Sequence, residues 1–182
     1  IGKELKRSLS IVIVVEHCVP LGVIHIIDQH LANAPVETGT IDVLRDILQE
    51  VAKISENILV PINKDTDVNP PVFEDGKVKC NVGLKEAYRT LAHGGWIGVS
   101  GSPEYGGMGL PSFLTTCINE ILSSGCMSLS LNALMTQGQI EALENHASEQ
   151  LKEVYLPKLN SGEWSGTMNL TEPHAGSDVG AL

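Results

Sequence analysis

Residues 148–171 read SEQLKEVYLPKLNSGEWSGTMNLT, and the hydrophobic periodicity changes within this stretch. In its first half the apolar residues recur every three or four positions, which predicts an amphipathic helix with Ser148 as its N-cap. The apolar face of that helix comprises Leu151, Val154, Tyr155 and Leu159. From Trp164 to Leu170 apolar and polar residues alternate instead, which predicts a strand. The sequence therefore predicts a helical domain that ends near Gly162 and is followed by a β domain.

Helical periodicity also dominates the residues before this stretch, so the fold is predicted to be mainly α. We expect the earlier helices at 40–60, at 84–91, from Pro111 to about residue 122, and at 129–144. The first has Thr40 as its N-cap and one apolar face made of Ile41, Leu44, Leu48, Val51, Ile54 and Ile58. Pro61 is expected to end this helix, and the turn-rich residues after it are expected to form an exposed loop.

The next two long helices each have a predicted core face. After Pro111, which suits a first helical turn, that face is Phe113, Leu114, Cys117, Ile118, Ile121 and Leu122. In the helix at 129–144 the predicted face is Leu131, Met135, Gly138 and Ala142. The small side chains at its end are expected to admit a neighbouring helix closely.

Three parts follow from this pattern: an unassigned segment at 1–39, a helical domain at 40–162, and the start of a β domain at 163–182 that the chain truncates. The chain begins with Ile1 rather than Met and stops in a Gly-containing turn. We therefore interpret the sequence as a segment of a longer protein. The apolar run at 10–15 is far shorter than the roughly 20 residues of a membrane-spanning helix, so we expect it to be buried.

Composition narrows the function classes. With 22 acidic and 12 basic residues the formal net charge is −10, which argues against a general nucleic-acid binder. The cysteines lack C-x-x-C spacing, so no zinc site is expected and they are interpreted as free thiols: Cys18, Cys80, Cys117 and Cys126.

The segment that could carry chemistry is Met168-Asn169-Leu170-Thr171-Glu172-Pro173-His174-Ala175-Gly176-Ser177-Asp178. A strand is predicted to end in a tight turn set by Pro173, with hydroxyls at Thr171 and Ser177 and backbone N–H groups around them. Such a turn can present hydrogen-bond donors to a planar heteroaromatic ring or to a phosphate. Gly-Ser-Asp turns are also common as ordinary surface turns, so the residues by themselves leave both interpretations open.

Three blocks of sequence together resemble the acyl-CoA dehydrogenase family. They are Gly95-Trp96-x-Gly98 followed by Pro103-Glu104-Tyr105-Gly106-Gly107-x-Gly109-Leu110, then Tyr155-Leu156-Pro157-Lys158-Leu159-x-Ser161-Gly162-Glu163-Trp164-x-Gly166, and finally Leu170-Thr171-Glu172-Pro173-x-Ala175-Gly176-Ser177-Asp178. The blocks stand in the family's order and the resemblance covers 40–182, whereas 1–39 are left unassigned. The chain looks most like the longer members, including those similar to 3-methylmercaptopropionyl-CoA dehydrogenase.

The resemblance implies a fold, a cofactor and a site. The fold would be the family's amino-terminal helical domain followed by the start of its middle β domain, and the cofactor would be FAD. The residues that would contact FAD are Met168, Leu170, Thr171, Gly176 and Ser177. Thr171 would face the ring edge that receives hydride, and Ser177 would also lie near the pantetheine of an acyl-CoA substrate.

The same resemblance implies α,β-dehydrogenation of an acyl-CoA thioester, in which a carboxylate base removes the α-proton and the β-hydrogen leaves as hydride. The family's base lies in a carboxy-terminal bundle outside this chain, so Glu120, Glu163 and Glu172 are not assigned that role and the chain by itself is expected to be inactive. Electron-transfer flavoprotein would be the electron acceptor, and the full-length protein would be a homo-oligomer. The location would be cytoplasmic, or the mitochondrial matrix in a eukaryote.

Two alternatives remain open from the sequence. An acyl-CoA oxidase would share the fold but pass its electrons to oxygen. A non-catalytic helical module derived from the family would keep the surface and lack the chemistry.

Overall fold

A computed structural model describes residues 41–181 of the chain, with side chains described for 43–180. The long helices are α1 (Ile41–Ile54), α2 (Val60–Val68), α3 (Leu84–His93), α4 (Ser112–Gly125), α5 (Met127–His146) and α6 (Glu149–Asn160). Shorter elements are a π-helical turn (Ser55–Leu59), strands β1 (Val72–Glu74) and β2 (Lys77–Lys79), and 3₁₀ turns at Pro103–Tyr105 and Val179–Ala181. The prediction of a mainly α fold is confirmed. The predictions for 1–39 and for the Thr40 cap lie outside the described residues.

The hydrophobic core forms where α4 packs between α1 and α5. The predicted face of α1 is buried at Leu44, Leu48, Val51 and Ile54, and that of α4 at Leu114, Ile118, Ile121 and Leu122. Burial of each aliphatic side chain of this size contributes about 1.5–3 kcal/mol relative to leaving it in water. These two helices therefore form where their periodicity predicts, because each has a single apolar face.

The expectation that Pro61 ends the first helix is wrong. Val60 donates its N–H to the carbonyl oxygen of Ser55, five residues back, so the chain makes one wide π-helical turn and then continues as α2. Pro61 lies in the first turn of α2, where a missing N–H removes no helical hydrogen bond. The Ser55 side chain is fully buried at this turn and donates to the Ile121 carbonyl of α4 at 3.0 Å.

The exposed stretch after α2 contains a hairpin that the sequence analysis missed. β1 and β2 pair antiparallel, with Phe73 opposite Val78, and the connecting residues Asp75 and Gly76 have φ values of 51° and 73°. Positive φ at both positions is the requirement of a type I′ turn, for which Asp-Gly is a preferred sequence. The expected exposure is confirmed for 69–80, where Phe73 retains 74% of its accessible surface, but 62–68, expected to lie in the same loop, are helical and bury Thr66.

The predicted core face of α5 is wrong. Leu131, Met135, Gly138 and Ala142 are exposed, and a Cβ added at Gly138 would meet nothing within 4 Å. The buried residues lie on the opposite side of the helix: Leu129, Ser130, Ala133, Thr136, Gln137 and Ile140. Apolar residues occur on both sides of this helix, so periodicity identifies two candidate faces and packing against α4 selects between them.

The predicted face of α6 is only partly correct. Leu159 is buried together with Leu156, whereas Leu151, Val154 and Tyr155 are exposed. The buried pair packs against Ile140 of α5 in a small cluster separate from the main core. A short contact with one neighbouring helix covers a narrower stripe than the sequence pattern offers.

The strand predicted from Trp164 to Leu170 is not formed in the structure: these residues carry no regular secondary structure. A strand requires a hydrogen-bonded partner, and within residues 41–181 no other segment pairs with this one. The boundary between a helical and a β domain near Gly162 stays a prediction. Of the helices between residues 41 and 181, none combines the length and hydropathy needed to cross a membrane.

Candidate functional site

The candidate segment, residues 163–178, leaves α6 through a turn that requires glycine. Gly162 has a φ of 72°, and a Cβ there would lie 2.7 Å from the Cβ of Ala92. Tyr88 of α3 donates its hydroxyl hydrogen to the Gly162 carbonyl oxygen at 2.9 Å. Burial raises the pKa of Tyr88 above its ordinary value of 10.0, so the hydroxyl stays protonated and remains a donor. The direction in which the segment leaves the helical core is therefore fixed at this residue.

Trp164, the first large side chain of the segment, packs back onto α6. The Lys158 ammonium nitrogen lies 4.1 Å from the centroid of the Trp164 ring, and the Tyr155 ring meets it edge-on with centroids 5.6 Å apart. The backbone N–H of Trp164 also donates to the Lys158 carbonyl oxygen at 3.0 Å. Cation–π and edge-to-face contacts of this kind each contribute about 0.5–1.5 kcal/mol. Tyr155 thus contacts the segment instead of the main core.

Gly166 brings the segment against α5. Its N–H donates to the Thr136 hydroxyl oxygen at 3.0 Å, and this hydrogen bond is buried. A Cβ at Gly166 would lie 3.0 Å from the Cβ of Gln139 and 3.1 Å from the Cα of Thr136. The backbone of the segment can lie this close to the helix because residue 166 has no side chain.

Beyond Gly166 the segment is open to solvent. Residues 167–171 are all exposed, and Met168 retains 67% of its accessible surface. Within the described structure, the N–H groups of these residues donate no hydrogen bond to another backbone group. Unpaired N–H groups on an exposed segment are available to a ligand that accepts hydrogen bonds.

A tight turn closes the segment, as predicted from Pro173. Glu172 and Ala175 exchange two backbone hydrogen bonds, of 2.9 and 3.1 Å, across Pro173 and His174. Ala175 is buried, whereas Ser177 is exposed and a Cβ at Gly176 would meet nothing within 4 Å. The turn therefore presents Gly176 and its neighbour to solvent.

All five sequence-predicted site residues lie on this one segment, on either side of the turn: Met168, Leu170, Thr171, Gly176 and Ser177. The carboxylates that the sequence analysis left without a catalytic role are exposed as well: Glu120, Glu163 and Glu172. In the part of the chain that the structure describes, no group of three or more His, Cys, Asp or Glu side chains could hold a metal ion.

Next to the segment lies an apolar surface that sequence reasoning missed. We call it the α5 apolar face, and it comprises Leu131, Leu134, Met135, Gly138 and Ala142. Leu131 and Leu134 are 48% and 49% exposed, large values for leucines in the middle of a long helix. Successive residues of a helix turn by about 100°, so Gln139, whose side chain lies against Gly166, borders this face, while the buried Thr136 lies further round the helix. The missed indication was the presence of apolar residues on both sides of α5.

The arrangement combines two features. The segment offers free backbone donors and the Thr171 and Ser177 hydroxyls, which can hold a ligand that accepts hydrogen bonds. The α5 apolar face offers aliphatic surface beside it, whose coverage by an apolar ligand stabilises by about 25 cal/mol per Å². An aromatic ring system with polar edges, together with an aliphatic ligand, fits these features.

Comparisons with known proteins agree with the resemblance noted from the motifs. The family described as acyl-CoA dehydrogenase, N-terminal domain, matches residues 42–163. The 3-methylmercaptopropionyl-CoA dehydrogenase of Ruegeria pomeroyi is 40% identical over 139 residues, which are 76% of this chain and 24% of that protein. A butyryl-CoA dehydrogenase of Syntrophomonas wolfei is 36% identical over 133 residues, 71% of this chain and 22% of that protein.

A solved structure supports the same fold. The structure of a glutaryl-coenzyme A dehydrogenase glutaryl-CoA complex superposes with a TM-score of 0.66 at 27% identity, covering 81% of this chain and 35% of that one. The chain spans about a quarter of the length of the curated relatives named above.

Proposed function

The chain belongs to the acyl-CoA dehydrogenase family, and on that premise we propose that it supplies the helical region and a flavin-contacting segment of an enzyme that α,β-dehydrogenates acyl-CoA thioesters. The observation that carries this proposal is the placement of residues 163–178. They are attached to the helical core at Gly162 and Gly166, and they expose free hydrogen-bond donors immediately beyond those points.

FAD fits this segment, and when bound it would accept the β-hydrogen of the substrate as hydride. Met168 and Leu170 would contact the ring, and the Thr171 hydroxyl with nearby N–H groups would donate to its polar edge. Gly176 leaves space for a close backbone approach, and Ser177 would donate to the cofactor or to the pantetheine of the substrate. Donors aimed at the edge where negative charge develops stabilise that charge during the reaction.

The α5 apolar face would contact the acyl chain. It lies beside the flavin-contacting segment, and its two leucines and Met135 are exposed to solvent in this chain. A flexible methionine adapts to ligands of different shape. Covering this surface with a fatty acyl chain would remove apolar area from water and would hold the reacting carbons next to the segment.

The catalytic base is not assigned to this chain. Glu163 and Glu172 belong to the segment itself, and Glu120 is an exposed residue of α4 whose carbonyl accepts a hydrogen bond from Ser124. Electron-transfer flavoprotein would reoxidise the cofactor, and the whole protein would be a homo-oligomer in the cytoplasm or, in a eukaryote, the mitochondrial matrix.

The test is to purify the full-length gene product and to measure bound flavin by visible absorbance, wild type against Thr171→Val. We expect FAD in the wild type, and bleaching of the flavin when an acyl-CoA is added without oxygen. Thr171→Val should retain the fold but slow bleaching roughly 10- to 100-fold, because one charge-stabilising donor is lost. Thr116→Val, the same change at an exposed threonine of α4 whose hydroxyl donates to the Ser112 carbonyl oxygen, is the matched control and should leave the bleaching rate within about twofold of the wild-type rate.

Two results would redirect the proposal. Peroxide release in air on addition of an acyl-CoA would show the oxidase activity. A folded full-length product with no affinity for FAD would favour the non-catalytic helical module.

A further inference from the structure

We propose that Thr136 of α5 is a positioning residue that sets the register of the flavin-contacting segment against the α5 apolar face. This inference rests on the proposed function, because the segment has its role only if it contacts a flavin. The observation behind it is the buried hydrogen bond from the Gly166 N–H to the Thr136 hydroxyl oxygen.

Thr136 can only accept a hydrogen bond from the segment, because its own proton is already used. Thr136 is fully buried, and its hydroxyl donates to the Asn132 carbonyl oxygen at 3.0 Å. A hydroxyl has one proton and two lone pairs, so with the proton given to Asn132 only acceptor capacity is left for Gly166. The hydroxyl oxygen therefore accepts a hydrogen bond, and the backbone N–H of Gly166, in the segment after α6, donates it.

Gly166 meets this hydroxyl without any intervening side chain. A Cβ at position 166 would be too close to Gln139 and to the backbone of Thr136. Neighbouring positions of the segment carry side chains, so a shift by one residue would bring either Ser165 or Thr167 against α5. The pairing of a glycine with a buried hydroxyl thus selects one register.

This hydrogen bond is also the last attachment before the residues proposed to contact the flavin. Between Gly166 and Glu172 the described structure gives the segment no other hydrogen bond. Met168 follows two residues later. One residue of extended chain spans roughly 3.3 Å, so a slip at Gly166 would displace Met168 by about that distance relative to the α5 apolar face.

The experiment compares Thr136→Val with wild type in the full-length gene product. Valine keeps the shape and burial of threonine but cannot accept a hydrogen bond. We expect exchange of the Gly166 amide to rise by roughly 3- to 10-fold, as the loss of its one buried hydrogen bond implies. We also expect the dissociation constant for FAD to rise by a similar factor. Thr136→Ser, which keeps the hydroxyl, should restore both values to within about twofold of wild type.

Thr115→Val is the matched control. Thr115 is a buried threonine of α4 whose hydroxyl donates to the carbonyl oxygen of Pro111, the residue that precedes the helix. It should leave exchange of the Gly166 amide and FAD affinity unchanged. Gly166→Ala is a second variant in case valine disturbs folding: it keeps the hydroxyl, forces the segment away from α5, and should raise exchange and the FAD dissociation constant together.

Unchanged exchange of the Gly166 amide in a folded Thr136→Val protein would overturn the inference. Faster exchange with unchanged FAD affinity would also overturn it, because the attachment would then have no bearing on the flavin. Equal changes in Thr115→Val and Thr136→Val would overturn it as well, since they would indicate general destabilisation. A wild-type product without FAD affinity would instead reject the proposed function, and the exchange data would still show whether Thr136 holds the segment.

Discussion

Helices α4 and α5 are neighbours of similar apolar character, yet they use their side chains differently. α4 buries the apolar face that its sequence predicts, whereas α5 buries one apolar face and leaves another in solvent beside the 163–178 segment. Helical periodicity reports where apolar side chains recur, and it identifies the core only when a helix has one such face. A second apolar face is therefore informative, because it indicates a surface that is available to a ligand or a partner.

The largest expected effect on stability is in the core face of α4. Ile118→Ala removes a fully buried side chain between α1 and α5, and we expect a loss of about 2–5 kcal/mol in the free energy of unfolding. Urea denaturation followed by circular dichroism measures it. Leu131→Ala on the exposed face of α5 is the control and should cost well under 1 kcal/mol. Equal losses in the two variants would show that the α5 apolar face is part of the core.

The two helices should also differ in how they tolerate replacement of a glycine. Gly125, at the end of α4, lies against the buried Ser55, and a Cβ there would be 3.0 Å from the Cβ of Leu59. Gly125→Ala should therefore destabilise by about 1–3 kcal/mol through overpacking. The same denaturation measurement applies, and stability equal to wild type would show that the contact between α4 and the π-helical turn can relax without cost.

Gly138→Ala in α5 should stabilise the protein, in contrast to Gly125→Ala. Its Cβ would enter open space, and alanine is favoured over glycine in a helix interior, so we expect a gain of about 0.5–1 kcal/mol. The midpoint of thermal unfolding should rise accordingly.

The smallest expected effect on stability is at Leu134. Leu134→Gln places a polar group where the side chain is already half exposed, so the free energy of unfolding should stay within about 0.5 kcal/mol of wild type. Acyl-CoA affinity, measured by calorimetry, should fall severalfold because apolar contact is lost. Unchanged affinity would remove the α5 apolar face from the proposed site.

Local chemistry explains which features the sequence predicted. The faces of α1 and α4, the turn at Pro173 and the exposure of the stretch after α2 depend on neighbouring residues, and each was predicted. The continuation past Pro61 was not, because it depends on a wide turn that also engages Ile121, 66 residues beyond Ser55. The hairpin could have been predicted from Asp75-Gly76 between two short stretches that each contain a β-branched valine.

The site divides in the same way. The residues of the candidate site are predicted from a motif, and in the structure they lie on one exposed segment. The attachment of that segment through Thr136 could not be predicted, because it joins positions 30 residues apart in the sequence and involves a glycine with no side chain to mark it. The open face of α5 required knowledge of which side α4 covers.

The π-helical turn at Ser55–Leu59 has a consequence for comparing lengths among related chains. A turn closed by a hydrogen bond to the fifth residue back contains one residue more than an α-helical turn, so it behaves as a single-residue insertion within an otherwise continuous helix. A relative whose helix runs straight through this region needs one residue fewer between Val51 and Thr66 to keep both ends in phase. An alignment that respects the three-dimensional fold should place a one-residue gap there, and shortening this chain by one residue at Glu56 or Asn57 would produce the uninterrupted form.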